Sequence, residues 1–185
     1  MQARCRKVPG FSYGCTILLP YELSEGNDME LICSCDAKPA VAVSACLLGE
    51  ECTWRGGHNA LPDDMIARLR EACELVPVCP EAQGGLPTPR PPAEIVGGRV
   101  LTREGNDVTA QFRAGAFAAL ADAQAAGCRF ALLKEKSPSC GFGRIYDGTF
   151  SGVLVEGSGV AARAFANAGI RVFGESAIKE LLARL

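Results

Sequence analysis

The 185-residue sequence has a single histidine, His58, and aromatic residues make up only 6% of it. One histidine argues against histidine-rich metal sites and against a Ser–His–Asp catalytic triad. A nucleic-acid-binding surface is usually basic and supplies aromatic rings for stacking, whereas this chain has a formal net charge of −2. We therefore expect no duplex nucleic acid among the partners of this protein.

Long apolar stretches are also missing from the chain. No run approaches the roughly 20 residues that span a bilayer, and the apolar run at 15–20 is too short for the core of a signal peptide. The apolar content of 48% and the charged content of 22% are ordinary for a soluble globular protein. We expect a cytoplasmic protein without a membrane partner, and the sequence leaves its oligomeric state open.

Cysteine, in contrast, is abundant, with ten residues. In a chain longer than a typical disulfide scaffold, surplus cysteines indicate metal or redox chemistry, or simple burial. No two cysteines have the CxxC spacing of a zinc knuckle. Cys73, on the apolar face of a predicted helix, and Cys128, just before a predicted strand, are expected in the core. Four cysteines lie in residues 1–36, which we interpret as an N-terminal extension of unclear status; Met29 is a candidate start of translation.

Residues 37–185 are predicted to form a single domain in which strands and helices alternate. The predicted strands cover 41–46, 75–81, 129–135 and 170–175; the predicted helices cover 61–73, 107–127, 160–169 and 176–185; a Gly-Gly hairpin is expected at 93–102 and a turn-rich excursion at 146–159. This alternation predicts an α/β fold, a Rossmann-like three-layer domain with a mainly parallel sheet.

Three cysteines fall at the ends of predicted strands. Cys46 and Cys79 end the first two strands, and Cys140 follows the third. Ligands of open parallel sheets bind at the carboxyl ends of the strands, so we expect these thiols to meet at one edge. Convergent thiols suit an iron–sulfur cluster or a zinc ion, although buried, inert cysteines are the alternative. Cys52 lies in the loop after Cys46 and is a further candidate ligand.

Several sequence blocks resemble the thiouracil desulfidase family. They are VSACLLGEECTWRGGHN, LVPVCPEAQGGLPTPRPPAEI, GNDVT, LLKEKSPSCG and IYDGTFSG, in the family's order over about residues 40–175. The resemblance implies a [4Fe-4S] cluster held by three cysteines, and the matching positions are Cys46, Cys79 and Cys140. It also implies a non-redox desulfuration, in which water replaces the sulfur of a thiolated pyrimidine and sulfide leaves. Residues 1–36 have no counterpart in the family.

The resemblance further implies an assisting carboxylate and an assisting serine. They map onto Glu81 and Ser137, and Ser139 is the alternative hydroxyl because the block alone does not say which one points inward. Substrate contacts are predicted for Asn59, which would touch the base, and for Arg90, which would pair with a phosphate.

Ser158 lies in a GSG sequence before a predicted helix, where a phosphate cradle would form. If that cradle exists, the substrate is a thiolated nucleotide such as 4-thio-UMP rather than free thiouracil; the sequence leaves both open. We therefore predict an iron–sulfur-dependent thiouracil or thiouridylate desulfidase. The alternatives are another reaction on the same cluster, and a non-enzymatic zinc-binding or redox-sensing thiol protein.

Overall fold

The computed structural model describes residues 38–185, so the predicted extension 1–36 and its four cysteines lie outside the described residues. The strands are β1 Ala40–Ser44, β2 Glu74–Val78, β3 Ala93–Val96, β4 Arg99–Thr102, β5 Phe130–Leu133, β6 Arg144–Tyr146, β7 Leu154–Glu156 and β8 Arg171–Gly174. The α-helices are α1 Asp63–Ala72, α2 Pro80–Gln83, α3 Thr109–Ala125, α4 Val160–Asn167 and α5 Ile178–Leu182. Among these described helices, none is long and apolar enough to cross a membrane.

Four parallel strands form the central sheet in the order β2–β1–β5–β8. Val43 of β1 is in register with Pro77 of β2 and with Leu132 of β5, and Leu132 is in register with Phe173 of β8. The strand pairs β3–β4 and β6–β7 form two small antiparallel hairpins outside this sheet. The prediction of a mainly parallel α/β sheet is confirmed.

Helices cover both faces of the sheet because side chains alternate along each strand. One face packs against α3 and α4 through Ala42, Ala119 and Phe165. The opposite face packs against α1 and α5 through Val43, Leu69 and Leu181. Cys128 and Cys73 are buried in these two clusters, as expected from the sequence. The predicted three-layer arrangement is therefore confirmed.

The strand ends and one hairpin differ from the sequence prediction. β1 stops at Ser44, and a 3₁₀ helix at Ala45–Leu48 places Cys46 one turn beyond the strand. The hairpin predicted at Gly97-Gly98 is present, with positive φ angles of 56° and 81° at the two glycines. The region predicted as turns, 146–159, contains β7, which pairs with β6. Strands of three residues are too short to show a period in the sequence.

Two glycines let helix α2 rest directly on the backbone of α3. A Cβ atom at Gly115 would lie 1.7 Å from the carbonyl oxygen of Pro80, and one at Gly84 would lie 2.1 Å from that of Gln111. Any larger residue would push the two helices apart. This contact fixes the position of α2, whose first turn carries Glu81.

Candidate active site

Three thiols converge at the carboxyl edge of the central sheet. Cys46 lies in the 3₁₀ turn after β1, Cys79 directly after β2, and Cys140 in the loop after β5. Because β1 lies between β2 and β5, these strand ends are neighbours, and the Cys140 thiol interacts electrostatically with both other thiols. The predicted convergence is thus present in the fold.

A fourth thiol, that of Cys52, lies between two of these three. It forms hydrogen bonds with Cys46 and Cys79, which together with its burial strongly raise its own pKa. The same hydrogen bond is the main reason that the pKa of Cys46 is lowered, with a further contribution from Asn59. The hydrogen bond between Cys52 and Cys79 likewise lowers the pKa of Cys79 to about 6, against the opposing effect of burial. Cys52 therefore keeps its proton and, because a thiol has only one, it stabilises one neighbouring thiolate at a time.

Cys140 lies in a fully buried setting, and burial raises the pKa of its thiol. A hydrogen bond with Ser44 opposes that effect. The Ser44 hydroxyl also accepts the backbone N–H of Lys134 at 2.9 Å, so it ties the end of β1 to the end of β5 and to Cys140. Sequence reasoning missed Ser44, although a serine inside the apolar run VAVSAC was a usable signal.

The loop that carries Cys140 is held by the start of helix α4. The N–H groups of Val160 and Ala161 donate to the carbonyl oxygens of Pro138 and Ser139, each at 2.9 Å. Gly159 permits this contact, since a Cβ atom there would lie 2.2 Å from the Ser139 oxygen. Ala162 also donates to Ser139, and Arg163 donates to Gly159.

The phosphate cradle predicted before α4 is therefore already filled by the protein's own carbonyl groups. All four backbone N–H groups of the first turn, at 160–163, have acceptors within the chain. A helix N-terminus binds an anion through such N–H groups only when they are free. These N–H groups therefore do not support a phosphate contact at the half-buried Ser158, and that contact stays a prediction.

Glu81 and Ser137 form a hydrogen-bonded pair beside the thiols. Ser137 Oγ lies 3.3 Å from Glu81 Oε1, and it accepts the backbone N–H groups of Ser139 and Cys140 at 3.1 and 3.2 Å. A hydroxyl has one proton and two lone pairs, so the two accepted bonds leave its proton for Glu81. Glu81 itself interacts electrostatically with Cys79 and Cys140.

The alternative hydroxyl, that of Ser139, has a different environment. Its Oγ atom is buried and, among the described residues, has no hydrogen-bond partner. The geometry therefore joins Ser137, and not Ser139, to Glu81. The catalytic assignment of Ser137 remains a prediction, now supported by this contact.

Arg90 contacts the other oxygen of the same carboxylate. Its Nε atom lies 2.7 Å from Glu81 Oε2, and its side chain is only 5% exposed. Three of the other four N–H groups bind the carbonyl oxygens of Pro87 and Cys52 and the hydroxyl of Thr88, at 2.9–3.1 Å. Four of the five guanidinium N–H groups thus bind the protein itself, which favours an internal ion pair over the predicted phosphate contact.

Asn59 is exposed at the edge of the thiol cluster. Its backbone N–H donates to the carbonyl oxygen of Cys46 at 2.9 Å, and its side chain forms a hydrogen bond with the Cys46 thiol. Its position therefore suits a contact with a molecule bound beside the thiols. Lys134 lies near the same thiol and contributes to lowering its pKa, while its ammonium group pairs with Glu175.

The donor set consists of thiols, which bind both iron–sulfur clusters and zinc. Within residues 38–185, no group of three or more His, Cys, Asp or Glu side chains is arranged to hold a metal ion. A four-iron cluster differs from a single ion because each thiolate binds a different iron atom, so its ligand sulfurs lie further apart. Three thiols on adjacent strand ends supply the residue type that such a cluster binds.

The fold and the site define an α/β enzyme with a thiol-based centre at the carboxyl edge of a parallel sheet. Residues 41–177 match the family model described as 2-thiouracil desulfurase. The chain belongs to that family, in agreement with the resemblance found in the sequence blocks.

Two known proteins are similar to this chain over most of its length. The chain is 42% identical over 152 residues to a protein of Bacillus subtilis (strain 168) named "Uncharacterized protein YbbK", covering 77% of this chain and 99% of that protein. It is also similar to a solved structure of the [4Fe-4S]-dependent thiouracil desulfidase TudS, with a TM-score of 0.76 and 46% identity. That match covers 80% of this chain and 97% of the TudS chain.

Proposed function

We propose that this protein is a [4Fe-4S]-dependent desulfidase of thiolated pyrimidines. The net reaction is hydrolytic: one water converts the ring C=S group into C=O and releases hydrogen sulfide, with no change in oxidation state. The observation that carries the proposal is the convergence of Cys46, Cys79 and Cys140 beside the Glu81–Ser137 pair. The family membership and the similarity to TudS support it.

Cys46, Cys79 and Cys140 are the residues that would hold the cluster. The lowered pKa values of Cys46 and Cys79 favour the thiolate form that binds metal. A thiol that coordinates a metal loses its proton outright, so the raised pKa of Cys140 is compatible with a ligand role. Cys52 would keep its proton and donate a hydrogen bond to the sulfur of Cys46 or of Cys79, one at a time. When bound, the cluster would supply a Lewis-acidic iron that polarises the C=S bond.

Glu81 is proposed as the general base that takes a proton from the attacking water. Its Oε1 atom already accepts the Ser137 hydroxyl, whereas Oε2 is held by Arg90. Ser137 would hold the water or relay the proton at Oε1, since its hydroxyl is the group in contact with that oxygen. Its two accepted backbone N–H bonds keep the hydroxyl in place between substrate encounters.

The thiolated ring is the part of the substrate that this site is proposed to recognise. Asn59, exposed beside Cys46, is the proposed contact for the base. Most hydrogen-bond donors at the two predicted phosphate contacts already have partners in the protein. Arg90 binds Glu81, and the N–H groups at the start of α4, after Ser158, bind the loop that carries Cys140. Thiouracil is therefore the first substrate to test, with 4-thio-UMP as the nucleotide counterpart.

The test is anaerobic reconstitution with iron and sulfide, followed by removal of free sulfide and measurement of its release from 2-thiouracil, 4-thiouracil and 4-thio-UMP. Cys79→Ala should lose iron and activity together. Cys73→Ala is the matched control, because Cys73 is a buried core cysteine whose thiol donates to the Leu69 carbonyl. A protein that binds about four irons and releases no sulfide from any of the three would refute the substrate class.

The non-enzymatic alternative has its own signature in the same experiment. A zinc-binding or redox-sensing protein would retain zinc at about one per chain, without acid-labile sulfide. Membership of the desulfurase family favours the enzyme.

A further inference from the structure

Arg90 is the most completely bonded charged side chain at the site, and it lies on the side of Glu81 away from the serine contact. We infer that Arg90 is a positioning residue for the desulfidation: its buried guanidinium fixes the Glu81 carboxylate against Ser137 and does not bind a substrate phosphate. This inference rests on the proposed function.

The Arg90–Glu81 contact is short and shielded from water. Arg90 Nε lies 2.7 Å from Glu81 Oε2, and the two side chains are only 5% and 16% exposed. A charge-assisted hydrogen bond in such a setting is stronger than a surface ion pair, because water competes less for either partner. Removing the guanidinium would leave a poorly solvated carboxylate free to rotate.

The guanidinium is itself held independently of Glu81. It donates to Pro87 O and Thr88 Oγ1 in its own loop and to Cys52 O in the loop after β1. The backbone N–H of Arg90 donates to Trp54 O at 2.9 Å, which adds a second tie between the two loops. Arg90 therefore presents Nε at a fixed point, and the carboxylate adapts to it.

The two carboxylate oxygens of Glu81 have different partners, and this difference explains how Arg90 would affect the reaction. With Oε2 engaged by Arg90, the planar carboxylate presents Oε1 to Ser137 at 3.3 Å. Lysine cannot replace this arrangement, because a single ammonium lacks the planar fork that reaches four acceptors in different directions. A phosphate, in turn, would have to displace contacts that join three segments of the site.

The experiment compares reconstituted Arg90→Lys, Arg90→Met, Glu81→Gln and the Arg90→Met/Glu81→Gln double variant with the wild type. We expect both Arg90 variants to lose kcat by about 10- to 100-fold, the usual effect of removing a residue that orients an active group. The factor should be the same for 4-thiouracil and 4-thio-UMP, with KM nearly unchanged. In the Glu81→Gln background, Arg90→Met should cause no further loss of kcat.

Two readouts do not depend on turnover. Iron content should be the same in all variants. Denaturant unfolding of the wild type, Arg90→Met, Glu81→Gln and the double variant should show a coupling free energy between positions 90 and 81. The exposed Arg184–Glu180 pair, 2.8 Å apart, is the matched control, and its Arg184→Met/Glu180→Gln cycle should show almost none. If Arg90→Met does not fold, Arg90→Lys carries the comparison of kcat and KM.

Three results would overturn the inference. A rise in KM for 4-thio-UMP alone would make Arg90 a phosphate ligand. If the fold-losses of kcat in the two single variants multiply in the double variant, Arg90 acts separately from Glu81. If the unfolding cycle shows no coupling free energy, Arg90 does not hold the Glu81 carboxylate. If the wild type releases no sulfide, the proposed function fails, whereas the unfolding cycle still decides whether Arg90 holds Glu81.

Discussion

Ser137 Oγ lies 3.3 Å from Glu81 Oε1, although the two residues are 56 positions apart in the sequence. The contact joins the helix after β2 to the loop after β5, two segments separated in the sheet by β1. It also brings a carboxylate and a hydroxyl to the edge where Cys46, Cys79 and Cys140 converge. The order of the strands in the sheet, and not a continuous sequence motif, thus brings the carboxylate and the thiols together.

The two serines of the SPSC sequence should respond differently to replacement. Ser137→Ala removes the hydroxyl that contacts Glu81, and we expect a loss of kcat of about 100-fold, within the range for proton-transfer groups. Ser139→Ala removes an unpartnered buried hydroxyl, so stability should stay equal or rise by about 1 kcal/mol. Sulfide-release kinetics and denaturant unfolding measure the two effects.

Iron content provides the control for both serine variants, since neither hydroxyl is a proposed ligand. A large loss of kcat in Ser139→Ala, together with a nearly normal Ser137→Ala, would exchange the roles that we assign. It would mean that the Ser139 hydroxyl finds its partner only when substrate is bound.

Much of this arrangement was predictable from the sequence, because strand ends in a parallel sheet meet by geometry. The alternation of apolar runs predicted the sheet, and Cys46, Cys79 and Cys140 followed from their places after its strands. The partners of Arg90 were not predictable, because an arginine in a loop carries no sign of whether its charge faces solvent or a buried carboxylate. The filled helix start after Ser158 was hidden for a similar reason: the carbonyls that fill it come from a distant loop.

Ser44 should matter for both stability and the cluster. Its hydroxyl is the acceptor for the Lys134 N–H and forms a hydrogen bond with Cys140. Ser44→Ala should lower the free energy of unfolding by about 1 kcal/mol, because the part-buried N–H of Lys134 loses its acceptor. It should also lower the reduction potential of the cluster, since a hydrogen bond to a ligand sulfur favours the reduced state.

Unfolding titrations and voltammetry of the reconstituted protein measure these two quantities. Ser151→Ala is the control, because Ser151 is an exposed serine whose hydroxyl contacts Thr149 in a surface loop. An unchanged potential in Ser44→Ala would show that its hydroxyl does not act on the cluster.

Gly115→Ala should separate helix α2 from α3. The added Cβ atom would fall 1.7 Å from the carbonyl oxygen of Pro80, so the backbone of α2 must move. Because Glu81 follows Pro80 directly, we expect a loss of stability of about 1–3 kcal/mol and a larger proportional loss of kcat than of iron content. Ala114→Ser, one position earlier on an exposed part of α3, should change neither. Normal kcat in Gly115→Ala would show that α2 tolerates the shift.

Cys79 should react with an alkylating reagent at lower pH than an ordinary cysteine when the protein is folded and free of cluster. Its pKa of about 6 lies below the ordinary cysteine value of about 8.5, so the thiolate predominates above about pH 6. Alkylation of Cys79 by iodoacetamide should therefore rise through about pH 6 and then level off. Cys73, whose pKa burial raises to about 11, should react only in strongly alkaline solution.

The lowered pKa of Cys79 also determines how the stability of the folded protein changes with pH. A group whose pKa is lower in the folded protein stabilises the fold at high pH, and this contribution is lost as the pH falls through about 6. The hydrogen bond from Cys52 is the largest cause of the shift, so Cys52→Ala should move the alkylation midpoint of Cys79 upward. Peptide mass spectrometry gives the midpoint, and circular dichroism checks that the protein is folded at each pH. An unchanged midpoint in Cys52→Ala would mean that the Cys52 thiol does not stabilise the Cys79 thiolate.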